Sequence, residues 1–206
     1  MKTIYIIRHG ETESNKNGIF RGRLDIPLSK AGEKQAKDLR KYFKDKCVDI
    51  VFTSPLSRAV KTAEIAFPKN EIIRTENLNN LDLGMWKGME KDKLKKRSPK
   101  LWKKWIESPE KIIFPKGESI ADVYIRVEKF LSIIKEIKEK SIAVVSHRSV
   151  NKIILAACIG LKENYFWKFH LDNCSVSIIL FEKKRGFTIF KLNHTDHLTH
   201  TVMEWY

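Results

Sequence analysis

Nowhere in the 206 residues does an apolar run approach the ~20 needed to cross a bilayer, and no extended apolar stretch precedes Arg8. Neither a membrane span nor a signal peptide is therefore predicted. Cysteine is scarce: Cys47, Cys158 and Cys174 are odd in number, far apart and without a CxxC partner. That usage argues against a disulfide framework or a thiolate metal site and predicts reduced thiols in the cytoplasm. Gly10, Gly18 and Gly22 do not form GxGxxG, so dinucleotide binding has little support. Internal repeats, Pro-rich linkers and low-complexity tracts are absent. One domain over residues 1–206 is the expectation, large enough to bury a core without disulfide or metal staples.

Acidic residues are outnumbered, 40 Lys+Arg standing against 25 Asp+Glu for a net charge of +15. Such a surface attracts phosphorylated metabolites, nucleic acid or anionic membrane. The excess is densest in Lys87–Lys104, with nine basic and two acidic residues, and Trp86, Trp102 and Trp105 lie in or beside it. No RNP, KH or zinc-finger pattern accompanies this aromatic-basic mixture, so solvated helix faces are the favoured reading and nucleic acid is disfavoured. His194, His197 and His200 resemble a metal tract, but tail histidines are common, and neither a metal nor a cofactor is expected.

What is present alternates between strand and helix signals. Strands are predicted over 3–7, 49–53, 72–74 (an edge), 141–146, 175–181 and 187–192, the last two joined by Lys183-Lys184-Arg185-Gly186. Helices are predicted over 30–46 behind Ser29, from Pro55, over 91–106, from Ser119, and over 150–159 before Gly160. The pattern predicts an α/β fold: a three-layer αβα sandwich around a mostly parallel sheet, with a Lys-rich helical insertion at about 88–117.

Two of these strands end in histidine, Ile7-Arg8-His9 and Val145-Ser146-His147, and a third leads through Thr53-Ser54-Pro55 to Arg58 in the first turn of a helix. In a mostly parallel sheet such ends share one rim, where open α/β folds bind ligands. Neutral imidazole can attack phosphorus while fixed guanidiniums hold the phosphoryl oxygens.

Further segments follow in order: Arg8-His9-Gly10-Glu11-Thr12 with Asn15, Phe20-Arg21-Gly22-Arg23-Leu24-Asp25-Ile26-Pro27-Leu28-Ser29, and Thr53 to Ala59 with Thr62-Ala63. Then come Leu83-Gly84-Met85-Trp86-Lys87-Gly88, Gly117-Glu118-Ser119, Val145-Ser146-His147, Leu171-Asp172-Asn173-Cys174-Ser175 and Leu192-Asn193. Together they resemble the histidine phosphatase superfamily, in the branch of phosphoglycerate mutases and small phosphatases, over essentially the whole chain. The resemblance implies that His9 becomes phosphorylated and that Arg8, Arg58 and His147 hold the phosphoryl oxygens. It places Asn15 in the phosphate pocket and Phe20, Arg21 and Gly22 at the substrate entrance, with Arg21 a candidate for a second anionic group. Arg148, directly after the second histidine, is a further candidate for phosphate or substrate binding.

One position departs from the family. Asn80 stands where the family usually carries a glutamate that protonates the leaving group, work typically worth 10²–10⁴ in rate. Asp82 is the candidate replacement; Glu11 or Asp25 reaching in from a loop, or a preference for good leaving groups, are the alternatives. About 28 residues separate Gly88 from Gly117, and Arg148-Ser149 replaces the glycine-asparagine pair of mutases, which favours a phosphatase over a phosphoglycerate mutase. A weakened relative that binds phosphorylated ligands or RNA is the competing class. The expected partner is a small phosphorylated metabolite, with no membrane and a homodimer left open.

Overall fold

Apolar residues alternate along the two central strands, and that alternation decides which helix layer each side chain meets. In the computed structural model, which describes residues 1–15 and 18–200, β1 spans Lys2–Arg8 and β4 spans Ser141–Ser146. Ile4, Ile6, Ile142 and Val144 join one apolar cluster; Ile7, Ala143 and Val145 join a second on the opposite face. A strand buried on both faces reads as a continuous apolar run, as these do.

The first cluster packs beneath α5 (Ile120–Glu136) and α6 (Arg148–Cys158) through Val127, Phe130, Ile153 and Ile154. The second packs beneath α1 (Lys30–Tyr42) and α2 (Ser57–Ala66) through Ala36, Leu39, Ala59 and Ala63. With β2 (Ile50–Thr53), β3 (Ile72–Arg74), β5 (Val176–Glu182) and β6 (Gly186–His194), the sheet order is β3-β2-β4-β1-β5-β6. The first four strands in chain order run parallel; β5 is antiparallel to β1, and β6 to β5.

Register sets the rim. Arg8 pairs with Ser146 and Thr53 with Val145, so β1, β4 and β2 end level, and His9, His147 and Ser54 follow side by side. The predicted 91–106 helix is broken in two, α3 (Lys91–Arg97) and α4 (Pro99–Glu107), because Pro99 cannot continue a helix and starts the next at its first turn. Leu94, Trp105, Ile112 and Phe114 of this excursion belong to the same cluster as Ile4 and Ile6. Trp86 and Trp105 are buried there with Phe20, so these rings form core rather than a stacking platform for bases. Among the described residues, no helix is long and apolar enough to cross a membrane.

The loop after β1 is pinned from behind. A Cβ on Gly32, in the first turn of α1, would lie 2.1 Å from the Glu11 carbonyl oxygen, and one on Gly10 would lie 2.6 Å from that of Gly32. Only glycine allows backbone to meet backbone here. Gly32→Ala is expected to cost about 2 kcal/mol and to lower Tm by about 4–8 °C. An unchanged Tm in thermal denaturation would show that this contact does not hold the loop.

Candidate active site

His9 leaves β1 with its N–H on the Ser146 carbonyl (2.9 Å), while its own carbonyl accepts from Asn173 Nδ2 (2.9 Å). Its side chain is fixed as tightly. Nδ1 lies 2.7 Å from the Gly10 carbonyl, and a carbonyl can only accept, so Nδ1 must carry the proton. The neutral ring then keeps its lone pair on Nε2. Burial, followed by the charges of Arg58, Arg8 and Arg21, holds the His9 pKa well below the ordinary imidazole value. This is a neutral imidazole with its nucleophilic nitrogen ready, surrounded by cations.

His147 stands beside it, the ring centroids 5.1 Å apart. Its Nε2 is 2.7 Å from Ser54 Oγ, and that oxygen also accepts from the Leu56 N–H (3.3 Å). The serine hydroxyl can therefore donate to Nε2, leaving His147 Nδ1, buried with no partner among the described residues, as the ring's remaining donor. Burial again lowers this pKa most, with Arg58, His9, Arg21 and Arg126 adding to it.

Arg58 donates through Nη1 to Leu24 O (2.7 Å) and through Nη2 to Gly22 O (3.1 Å), and its buried Nε has no partner among the described residues. Burial, opposed only by Asp25, and the charges of Arg21 and Arg8 push its pKa down to about 10. Arg8 donates to Leu171 O (2.8 Å), in a loop locked by two hydrogen bonds between Asp172 and Asn193 (both 2.8 Å). Three guanidiniums thus share one buried neighbourhood with two neutral imidazoles. Like charges so placed repel, and a dianionic phosphoryl group relieves the repulsion while filling its oxygens' lone pairs.

The surrounding candidates sort by contact. Asn15 Oδ1 accepts from the Thr12 N–H (2.8 Å) and Thr12 Oγ1 (2.7 Å), and that same Oγ1 accepts from Arg21 Nη1 (3.3 Å). Asn15 therefore shapes the loop that carries Arg21. Phe20 is buried against Trp86, Trp105 and Trp102, so it anchors the entrance segment to the excursion. Gly22 contributes its carbonyl, shared by Arg58 and by Asn80 Nδ2 (2.7 Å), and adopts φ +52°. Arg148 opens α6 and its charge is felt at Lys152.

The acid candidates are each engaged. Asp82 Oδ1 accepts from the Gly84 N–H (3.0 Å), Glu11 Oε1 from the Ser29 hydroxyl (2.9 Å), and Asp25 Oδ1 from the Ser57 N–H (2.7 Å). The Asn80 carbonyl is held by Arg23 Nε (3.0 Å) and Arg126 Nη2 (3.3 Å), both of which also bind Glu118. Sequence reasoning passed over Ser54, Asn173 and Thr62. Thr62 Oγ1 accepts from the Gly10 N–H (3.0 Å) and donates to Arg58 O (2.7 Å), joining the His9 loop to α2. All three stood in the quoted motifs, yet only strand register and packing give them roles. His194 and His197 stack on Tyr42 (5.1 and 4.9 Å), and His197 Nε2 donates to Cys174 O. The described residues hold no group of three His, Cys, Asp or Glu placed for a metal.

Comparison with known proteins identifies the family. A family model for the histidine phosphatase superfamily (branch 1) matches residues 4–195. Phosphoserine phosphatase 1 of Hydrogenobacter thermophilus is 38% identical over 99% of this chain and 98% of its own. The adenosylcobalamin/alpha-ribazole phosphatase of Escherichia coli is 28% identical over 88% of this chain and 91% of its own. Among solved structures, YhfR of Bacillus stearothermophilus superposes with a TM-score of 0.90 at 27% identity, covering 96% of this chain and 100% of that one. Phosphoserine phosphatase of Entamoeba histolytica superposes with a TM-score of 0.84 at 27% identity and the same coverage. The chain belongs to branch 1 of the histidine phosphatase superfamily.

Proposed function

We propose that this protein hydrolyses the phosphoryl group of a small phosphorylated metabolite, with His9 as the nucleophile and no metal taking part. The observation that carries the reading is the neutral His9 ring, its proton held on Nδ1 by Gly10 O, among the charges of Arg8, Arg58 and Arg21. In the first step the Nε2 lone pair attacks phosphorus and the P–O bond breaks, its electron pair leaving on the substrate oxygen. The ring gains positive character, which the Nδ1–H to Gly10 hydrogen bond stabilises. Arg8, Arg58 and the His147 donor follow the non-bridging oxygens as charge builds on them. Water then attacks the phosphohistidine, the P–N electron pair returns to Nε2, and the water's proton passes to phosphate.

Relatives named for phosphoserine and alpha-ribazole phosphate support a compact phosphomonoester as substrate. Arg21, half-buried and tied to Thr12, is proposed to meet the substrate beside the phosphoryl group. Three cysteines without disulfides suit a reducing compartment, and the cytoplasm is the proposed location.

The proton for the leaving oxygen is assigned to Asp82, two residues from Asn80. Asp82→Asn is expected to slow an alkyl phosphate by about 10²-fold or more, and p-nitrophenyl phosphate, whose phenolate departs unprotonated, far less. Equal slowing of the two in steady-state assays removes Asp82 from that role. A second reading, a relative that binds phosphorylated ligands without turning them over, is favoured by Asn80 alone. Phosphate release together with an acid-labile phosphoprotein, both lost in His9→Ala, supports the enzyme; tight ligand binding without release supports the second reading.

The pH profile has a definite sign. His9 must be neutral to attack, and burial with three cations keeps it so below the ~6.5 at which an ordinary imidazole takes up a proton. The acid limb of kcat/KM is therefore expected below that value. Arg21→Met, which removes one of the cations, moves the limb to higher pH; a limb that stays in place shows that His9 does not set it.

A further inference from the structure

We propose that Gln35 is a positioning residue for the His9 nucleophile, acting through the Gly10–Glu11 peptide group; the proposal rests on the phosphatase reading above. Gln35 lies on α1, three residues after Gly32, and is only 3% exposed, which is uncommon for glutamine. Its Oε1 accepts from the Glu11 N–H (2.9 Å). The carbonyl at the other end of that peptide group, Gly10 O, is the one that accepts from His9 Nδ1 (2.7 Å). A trans peptide group points its N–H and C=O in opposite directions, so the two hydrogen bonds run in line. They lead from the amide on α1 through the backbone to the imidazole. Gly32 presses the same peptide group onto α1: a Cβ there would lie 2.8 Å from Glu11 N.

The orientation of the Gln35 amide is fixed from its other side, where Nε2 donates to the His200 carbonyl (3.2 Å). Turning the amide over would set Oε1 against that carbonyl and Nε2 against the Glu11 N–H, acceptor on acceptor and donor on donor. The segment carrying His200 is itself held on α1: Thr199 Oγ1 donates to Asp38 Oδ2 (3.1 Å), and His194 and His197 stack on Tyr42. An acceptor at the N–H end of a peptide group makes its carbonyl a stronger acceptor, because hydrogen bonds in a chain polarise one another. Gly10 O therefore holds the His9 proton on Nδ1 more firmly. It also stabilises the positive character that the ring takes on when Nε2 bonds to phosphorus. Burial beside His147 opposes that character, as do Arg58 of α2, Arg8 of β1 and Arg21 of the entrance segment. The Gly10 hydrogen bond acts the other way and raises the His9 pKa.

The ring is read directly by heteronuclear NMR of the full chain with histidine labelled in its ring nitrogens, which needs no turnover. In the parent, neutral His9 should carry its proton on Nδ1. Gln35→Met, of similar shape but without the amide oxygen, should move the Nδ1–H resonance upfield as the bond to Gly10 O weakens. It should also lower kcat about 10-fold, as for one buried hydrogen bond, with KM changed less than about twofold. The acid limb of kcat/KM should move to lower pH, opposite to Arg21→Met, because the ring loses support for its cation. A merely structural role predicts the reverse sign, since a loosened pocket admits water, relieves burial and raises the pKa. Gln35→Glu keeps an oxygen facing the Glu11 N–H whether ionised or protonated. It should retain most of kcat and leave the resonance at or downfield of its parent position, and it stands in if the methionine variant does not fold. A neutral parent ring protonated on Nε2, an unmoved resonance in Gln35→Met, an upfield shift in Gln35→Glu, or an acid limb that stays or moves to higher pH in Gln35→Met overturns the relay. Failure of the phosphatase reading shows separately, as the absence of His9-dependent phosphate release.

Discussion

The structure depends on a concentration of positive charge gathered where β1, β2 and β4 end. Arg8, Arg58 and Arg21 converge on two imidazoles whose burial keeps them neutral. A cationic pocket of this kind is tolerable because backbone carbonyls of Gly22, Leu24 and Leu171 accept hydrogen bonds from the guanidinium N–H groups. Dipoles can orient a cation but cannot cancel it. In the proposed mechanism this charge receives a dianion, and it also lowers the His9 pKa. Under that proposal, binding and nucleophile activation have the same electrostatic origin.

Topology brings these groups together with little reliance on long loops. Two parallel neighbours, β1 and β4, end in register, and each delivers a histidine at its next residue. The turn after β2 contributes Ser54, and the helix that follows contributes Arg58. Behind them, Asn173 and Cys174 reach back to the carbonyls of His9 and Arg8, closing the rim from the antiparallel side. Backbone hydrogen bonds hold both histidines, so the precision of the site derives from the sheet itself.

Legibility in the sequence followed the physics of each residue. His9 and His147 were readable because each terminates an apolar, β-branched run, and Arg58 because Pro55 announces a helix start. Trp86 and Trp105 lie among basic residues that also fit an exposed platform, a reading the sequence already disfavoured, and the rings pack into the core beside Phe114. Pattern alone carried the 91–106 helix through Pro99, where the backbone breaks. Ser54, Thr62 and Asn173 could not be read at all: their roles arise from register and from contacts up to 164 positions apart. Lys152 was hidden for another reason. Lysine in an amphipathic helix reads as solvent-facing, and only the fold reveals the two aromatic rings that cover it.

The joint between entrance and excursion has a consequence for how this scaffold can diversify. Phe20 donates its N–H to Met89 O and accepts from Gly88 N, so the short segment bearing Arg21 moves with the start of the helical insertion as one body. Lengthening, shortening or recharging α3 and α4 would thus re-aim Arg21 while leaving the strand ends that carry His9 and His147 in place. Remote surface change can thus reach the site through Arg21, whose charge also bears on His9.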